Sequence, residues 1–168
     1  MDIYILRHGK AGIADHGSTD DHMRHLTARG EEEIKEIGEW IRNRAIDFSV
    51  IASSPLARAR ETASIVSRIL SGSDKVQLWE ELSPGVPPGA VVQKITRLTP
   101  GSCILLVGHE PQLSSLISLL VCNCPDCDIT LKKGGIARIR LEEGLVSGTL
   151  MWLLPPGLIR NFVSDRRP

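Results

Sequence analysis

Four short runs of apolar residues, rich in Ile, Val and Leu, constrain the fold of this 168-residue chain most strongly. Each run is continuous rather than alternating, which is typical of strands that are buried on both faces of a mostly parallel sheet. The runs lie at residues 3–6, 48–53, 102–108 and 149–154. Because both faces of such a sheet must be covered, the segments between the runs are expected to supply helices.

Those intervening segments have the spacing of amphipathic helices. Apolar residues recur at steps of three and four between Thr27 and Ala45, with Glu and Lys on the remaining face and Thr27 at the N-cap. A second helix is expected to begin with Ser54 as its N-cap and Pro55 at its first position, and a third to open at Pro111. Strands that alternate with helices predict a layered α/β fold.

Length and charge narrow the class of protein further. The chain suits a single domain over residues 1–168, and 42% hydrophobic and 24% charged residues are typical of a folded, soluble protein. The 20 basic and 20 acidic residues cancel, so there is no global positive field of the kind that marks nucleic-acid or membrane-surface binders. With no apolar run of membrane-spanning length and no basic leader, we expect a cytoplasmic protein, working as a monomer.

The second half of the chain carries a predicted hairpin and a cysteine cluster. The stretch from residue 137 to 154 predicts two strands that turn near Glu143 and Gly144. Cys122, Cys124 and Cys127 could supply three thiolates to a metal, but a structural zinc site usually takes four ligands. We therefore expect reduced thiols at a helix end and no metal, with a three-thiolate site as the alternative.

Arginine, histidine and serine residues follow three of the apolar runs. Arg7 and His8 come after the first run, Ser54 and Arg58 after the second, and His109 after the third. Because the carboxyl ends of parallel strands meet at one edge of a sheet, these side chains are expected to converge. The planar guanidinium group of arginine can donate paired hydrogen bonds to phosphate oxygens. The positive dipole ends of nearby helix N-termini would also attract a phosphate. A histidine there could attack phosphorus or, as imidazolium, donate a hydrogen bond to the phosphate.

An ordered set of motifs resembles the histidine phosphatase superfamily. The motifs are "LRHG" at 6–9, "RHLTARG" at 24–30, "SSPLARARET" at 53–62 and "GHEP" at 108–111. The short chain, "EELSP" at 80–84 and "MWLLPPG" at 151–157 further resemble the compact, SixA-type phosphohistidine phosphatases. The resemblance implies a phosphoglycerate mutase-like fold, which is a three-layer α/β/α sandwich with a mostly parallel central sheet.

The resemblance also implies roles for residues that match the motifs. His8 matches the nucleophile that becomes phosphorylated, and Arg7 and Arg58 match the two arginines that bind the phosphoryl oxygens. His109 matches the second histidine of the pocket, and Arg24 lies where compact members carry another basic residue.

Three further positions complete the expected site. Gly9 and Ser54 are expected to bind the substrate, Gly9 by letting the backbone turn sharply beside the phosphate and Ser54 from a helix start. Many larger relatives use a Glu after the third strand as general acid, and Glu81 is the candidate by its place in "EELSP".

The implied activity is metal-independent and needs no cofactor. It is the hydrolysis of phosphohistidine on a protein, such as a phosphotransfer domain, through a covalent phosphohistidine intermediate on the enzyme. Larger relatives roof the pocket with an insertion, whereas only a short stretch at 71–90 occupies that region here, which favours a phosphate displayed on a protein surface. The alternatives are a phosphatase of small phosphomonoesters and a catalytically silent phosphate-binding adaptor.

Overall fold

The computed structural model describes residues 1–12, 21–73, 75–125, 127–142 and 147–164. Within these ranges, six strands form one sheet in the order β3-β2-β4-β1-β5-β6. The strands are β1 (Asp2–Arg7), β2 (Val50–Ser53), β3 (Val76–Leu78), β4 (Cys103–Gly108), β5 (Ile136–Leu141) and β6 (Gly148–Leu154). Strands β3, β2, β4 and β1 are parallel, β5 runs antiparallel to β1, and β6 runs antiparallel to β5.

Helices cover both faces of this sheet, which confirms the three-layer α/β/α sandwich. The helices are α1 (Ala28–Arg42), α2 (Ala57–Ser71), α3 (Pro88–Ile95), α4 (Gln112–Cys122) and α5 (Pro156–Ser164). On one face α1 packs against α2 and α5, and on the other face α3 packs against α4. Among the described residues, no helix is both long and apolar enough to span a membrane.

Strand β1 explains why the first apolar run is continuous. Tyr4 and Leu6 belong to the core under α1, α2 and α5, whereas Ile3 and Ile5 belong to the core under α3 and α4. Each of these side chains is at most 3% exposed. Because successive side chains of a strand point to opposite faces, a strand between two helical layers has no polar face.

The two outer strands differ from the sequence expectation. The run at 149–154 was predicted to be buried on both faces, but β6 pairs on one side only and leaves Met151 41% exposed. Strand β3 was not predicted, because Gln77 and Leu78 are exposed and the strand carries no apolar run. The predicted pairing of β5 with β6 is confirmed, and its turn at Glu143 and Gly144 lies outside the described residues.

The observed helix N-termini agree with the sequence predictions, except for that of α2. Thr27 caps α1 as predicted, since its Oγ1 accepts a hydrogen bond from Gly30 N at 3.0 Å. Ser54 is not the N-cap of α2, because Leu56 still has extended backbone angles and the helix begins at Ala57. Pro111 directly precedes the first residue of α4. The Ser54 hydroxyl instead accepts a hydrogen bond from Leu56 N at 3.3 Å in the turn before α2, and it also bonds the pocket histidine described next.

Candidate active site

Residues at the carboxyl ends of β1 and β4 and in the first turn of α2 help to line a pocket of about 300 Å³. Arg7 is in register with Gly108 across β1 and β4, so the two pocket histidines follow these strands side by side, with ring centroids 5.0 Å apart. The peptide N–H of His8 donates to Gly108 O at 3.1 Å. The pocket is lined by Arg7, His8, Asp21, Arg24, Arg58, Pro84, His109, Glu110 and Lys133. The structure thus brings together five residues that the sequence singled out: Arg7, His8, Arg24, Arg58 and His109.

His8 is held as a neutral imidazole with one nitrogen free for chemistry. Its side chain is buried, and its Nδ1 lies 2.7 Å from the carbonyl oxygen of Gly9, to which an Nδ1 proton donates. Burial lowers the pKa of His8 to about 4, and the positive charges of Arg58 and Arg7 act in the same direction. At neutral pH the ring therefore carries its proton on Nδ1 and an unprotonated lone pair on Nε2.

His109 is also neutral in this arrangement. It is only 2% exposed, and its Nε2 shares a hydrogen bond of 2.9 Å with the Ser54 hydroxyl. Burial lowers the pKa of His109 to about 3, and the neighbouring His8 and Arg58 add to the shift. The sequence allowed an imidazolium here. The pocket cations and the burial disfavour that charged form as long as no anion is bound.

Arg58 and Arg24 are held by a single acidic residue, Asp21. Arg58 Nη1 donates to the backbone oxygen of Asp21 at 2.7 Å, and Nη2 donates to its Oδ2 at 2.8 Å. Arg24 Nη1 donates to Oδ1 at 2.8 Å, and its Nε to Gly12 O at 2.9 Å. These bonds lower the pKa of Asp21, with that of Arg24 contributing most. The sequence analysis missed Asp21, although its spacing of three from Arg24 was a local signal.

Arg7 lines the same pocket and is held by a different segment of the chain. Its Nη1 donates to Leu131 O at 2.9 Å, while its Nε is enclosed without a hydrogen-bond partner among the described residues. Burial lowers the pKa of Arg7, and the carboxylate of Glu110 opposes that shift. Since an arginine pKa lies far above neutrality, Arg7 stays charged and keeps donors for an anion.

Glu61 and Thr62, in the "ARET" segment of α2, make hydrogen bonds to the backbone around the pocket. Thr62 Oγ1 accepts a hydrogen bond from Gly9 N at 3.1 Å and donates to Arg58 O at 2.7 Å. Glu61 Oε2 accepts from Leu26 N at 2.8 Å, and its Oε1 pairs with His25 Nδ1. These two residues, which the sequence analysis did not assign, tie the loop after β1 to the helix that carries Arg58.

Gly9 and Ser54 lie behind the pocket wall rather than in its lining. Gly9 does not have a positive φ, so it does not supply the sharp turn that was expected. A Cβ at Gly9 would lie 2.8 Å from Ile34 Cγ1 and 3.2 Å from Gly30 O. The glycine is therefore required by close packing against α1, and Ser54 acts through its bond to His109.

The glutamate that lines the pocket is not the one that the sequence favoured as general acid. Glu81 does not line the pocket; its Oε2 accepts a hydrogen bond from Lys94 Nζ at 2.6 Å, and this bond lowers its pKa. An ionised carboxylate held away from the pocket has neither the proton nor the position of a general acid. Glu110 lines the pocket instead. It directly follows His109 in "GHEP", but the sequence analysis gave it no role.

The cysteine cluster lies at the end of α4. Cys122 and Cys124 are exposed, and Cys127 is half-buried. Within the described ranges, no group of three or more His, Cys, Asp or Glu residues is arranged to hold a metal ion. The described residues therefore offer no support for the three-thiolate alternative.

Comparison with known proteins agrees with the motifs and the geometry. A model of the histidine phosphatase superfamily (branch 1) matches residues 3–83. Phosphohistidine phosphatase SixA of Escherichia coli K12 is 26% identical over 159 residues, which are 93% of this chain and 94% of that protein. A solved structure of the protein histidine phosphatase SixA complexed with tungstate has a TM-score of 0.84 and 25% identity, and the match covers 95% of this chain and 99% of that chain.

A more distant relative shares the fold alone. The structure of the alpha-ribazole phosphatase from Shigella flexneri has a TM-score of 0.68 and 20% identity, and the match covers 93% of this chain and 97% of that chain.

The family match spans the segment that carries His8, Arg24 and Arg58, and the SixA matches span nearly the whole chain. The chain therefore belongs to the histidine phosphatase superfamily and resembles its compact, SixA-type members.

Proposed function

We propose that this phosphatase hydrolyses phosphohistidine on a partner protein through transient phosphorylation of its own His8. The observation that carries the proposal is the state of His8: a buried, neutral imidazole with Nδ1 bonded to Gly9 O, in a pocket that Arg7, Arg24, Arg58 and Lys133 make positive. A neutral imidazole is a nucleophile, and the surrounding cations match the charge of a phosphoryl group.

The reaction has two steps. In the first, His8 Nε2 forms a bond to phosphorus while the bond between phosphorus and the substrate nitrogen breaks, and the electron pair of that bond stays on the substrate imidazole. In the second, water attacks the phosphorylated His8 and releases phosphate. Arg7 and Arg58 stabilise the charge on the phosphoryl oxygens in both steps. The dianion raises the pKa of His109, so His109 can then donate a hydrogen bond to it.

A protein-borne phosphate fits the rim of this pocket. The stretch at 71–90, which larger relatives extend, forms here the end of α2, the short β3, a short 3-10 helix at Glu80–Leu82 and the start of α3. The side chains of Asp21 and Arg24 at the pocket are 52% and 30% exposed. Among the described residues, these exposed side chains form a rim that a phosphohistidine on a phosphotransfer domain can reach. We further propose that the enzyme works in the cytoplasm as a monomer and needs no cofactor.

A phosphatase of small phosphomonoesters is the second candidate. It is favoured by the fold shared with alpha-ribazole phosphatase and by cations that bind a phosphoryl group whatever it is attached to. A silent phosphate-binding adaptor is the weaker alternative, because a binding role has no need of a free His8 Nε2.

The test is intact-protein mass spectrometry after brief incubation with a phosphohistidine-containing protein and a quench at high pH. Wild type should gain one acid-labile phosphoryl group, and His8→Asn should gain none. His22→Asn, which removes an exposed histidine outside the pocket lining, is the matched control and should behave as wild type. No adduct, together with full retention of phosphate by the partner, would overturn the proposal; release of phosphate from small esters alone would favour the second candidate.

A further inference from the structure

We propose that Glu110 makes this pocket selective for phosphohistidine, by accepting a hydrogen bond from the protonated ring nitrogen of the leaving imidazole. The inference rests on the proposed function and identifies the part of the substrate, beyond the phosphoryl group, that the pocket recognises.

The two acidic residues of the pocket are in different states. Both carboxylate oxygens of Asp21 accept hydrogen bonds, Oδ1 from Arg24 and Oδ2 from Arg58. Glu110 Oε1 is enclosed and has no hydrogen-bond partner in the part of the chain that the structure describes. An enclosed acceptor without a donor is unfavourable, so a ligand that brings a donor to this position gains a strong, charge-assisted hydrogen bond.

Phosphoryl oxygens cannot satisfy Glu110. A phosphoryl dianion has only acceptors and the same sign of charge, so a carboxylate in the lining of its pocket repels it. The cations Arg7, Arg58 and Lys133 line the same pocket and provide the phosphoryl site. The Glu110 carboxylate also acts electrostatically on Arg7, so it lies beside the phosphoryl site. The part of the substrate that it can bind is the group from which the phosphoryl departs.

Phosphohistidine carries the donor that Glu110 lacks. One ring nitrogen holds phosphorus, and the other, when protonated, presents an N–H in the ring plane. Accepting that N–H stabilises the imidazolium form of the substrate. When His8 displaces it, the electron pair of the breaking P–N bond stays on the first nitrogen, the proton stays on the second, and the leaving group is neutral imidazole. Phosphoserine and aryl phosphates leave through oxygen and offer no such N–H.

The experiment compares two substrates on the same preparations of enzyme. We would measure kcat/KM for a phosphohistidine-containing phosphotransfer domain and for p-nitrophenyl phosphate, with wild type, Glu110→Gln and Glu80→Gln. Glu80 is an exposed carboxylate outside the pocket lining and serves as the matched control. Glu110→Gln should lose about tenfold or more on phosphohistidine, which corresponds to one strong hydrogen bond. On p-nitrophenyl phosphate it should match or exceed wild type, because the carboxylate that repels the phosphoryl dianion is gone.

The pH dependence provides a second readout that a merely structural role would not change. Without the carboxylate, the substrate ring holds its proton less firmly. As the pH is raised, turnover of phosphohistidine by Glu110→Gln should therefore begin to fall at a lower pH than turnover by wild type. Turnover of p-nitrophenyl phosphate should keep its profile. Glu110→Asp, which retains the charge on a shorter side chain, should recover part of the loss and covers the case in which Glu110→Gln folds poorly.

The outcomes separate the two proposals. Equal loss on both substrates, or no loss on either, would overturn the role of Glu110 while leaving the proposed function intact. A wild type that is inactive on phosphohistidine but active on p-nitrophenyl phosphate would overturn both.

Discussion

The carboxylate of Asp21 accepts a hydrogen bond from Arg58 Nη2 at 2.8 Å, and its backbone oxygen accepts one from Nη1 at 2.7 Å. A carboxylate thus engages the guanidinium edge that would bind phosphate oxygens. The Asp21 side chain is 52% exposed, whereas that of Arg58 is only 6% exposed. An entering phosphoryl group can therefore displace Asp21 toward solvent, while Arg58 stays in place.

Asp21→Asn should bind phosphate more tightly than wild type. Removing the competing charge leaves Arg24 and Arg58 freer for the anion, and one charge-assisted hydrogen bond corresponds to a gain of about tenfold in Kd. Isothermal titration with inorganic phosphate or tungstate measures the change. Asp2→Asn, which breaks ion pairs with Arg138 and Arg140 at the amino end of β1, should bind phosphate as wild type does. Weaker binding by Asp21→Asn would show that Asp21 orients the arginines rather than competing with the phosphate.

The stability of the unliganded protein should fall as the pH is lowered from about 6.5 to about 4. The pKa values of His8 and His109 are lowered from the ordinary 6.5 to about 4 and about 3, so over this window the unfolded chain binds more protons than the folded one. Unfolding free energy therefore rises with pH through the window and levels off above it, by on the order of 3 kcal/mol for each of the two histidines. Urea unfolding at several pH values measures the slope. The double variant His8→Asn, His109→Asn should have a shallower slope, and an unchanged slope would contradict the assignment.

Thr62→Val should reduce turnover and stability together. The substitution removes the acceptor for Gly9 N and leaves that buried N–H unsatisfied, which costs about 1–3 kcal/mol. It also releases the loop that presents His8, so kcat should fall. Ser118→Ala is the matched control, because its buried hydroxyl bonds Ser114 O at 2.9 Å and Cys127 O at 3.2 Å, and neither partner lines the pocket. Thermal unfolding and kcat should separate the two variants: both lose stability, and only Thr62→Val loses turnover.

Gly30→Ala should be strongly destabilised, whereas Gly89→Ala should not. A Cβ at Gly30 would lie 2.1 Å from the backbone oxygen of Lys10, so α1 and the loop after β1 would have to separate. We expect a loss of about 3 kcal/mol or more, as for other overpacked sites. A Cβ at Gly89 meets nothing within 4 Å in the described structure and should stabilise α3 by up to about 1 kcal/mol. Chemical denaturation measures both, and equal stabilities would contradict the packing of Gly30 against Lys10.

Glu81→Gln should keep activity within about twofold of wild type on both classes of substrate. Its carboxylate is bonded to Lys94 and does not line the pocket, so its loss removes no group from the reacting atoms. Steady-state kinetics with p-nitrophenyl phosphate is the sharpest test, since an ester leaving group demands more of a general acid. A fall of a hundredfold would restore Glu81 to the role that its place in the sequence suggested.

Local patterns predicted the parts of this protein that depend on local physics. The continuous runs predicted the buried strands β1 and β4, because a strand between two helical layers must be apolar on both faces. The N-cap at Thr27 followed from a hydroxyl that bonds a peptide N–H three residues ahead. The convergence of His8, Arg58 and His109 on one edge followed from parallel pairing. Strand β3 could not be predicted, because exposed residues carry no apolar signature.

The sequence by itself thus determined the layered fold, its family and five of the side chains that line the pocket, namely Arg7, His8, Arg24, Arg58 and His109. Only the tertiary structure decided how those side chains are partnered and charged. Asp21 meets Arg58 across 37 positions of sequence. Glu110 lines the pocket next to His109, whereas Lys94 of α3 holds the Glu81 carboxylate. The neutral state of His8 likewise depends on burial and on cations from distant segments. Hydrogen bonds, burial and charge act between segments that are distant in the sequence. Local sequence patterns therefore do not reveal these contacts.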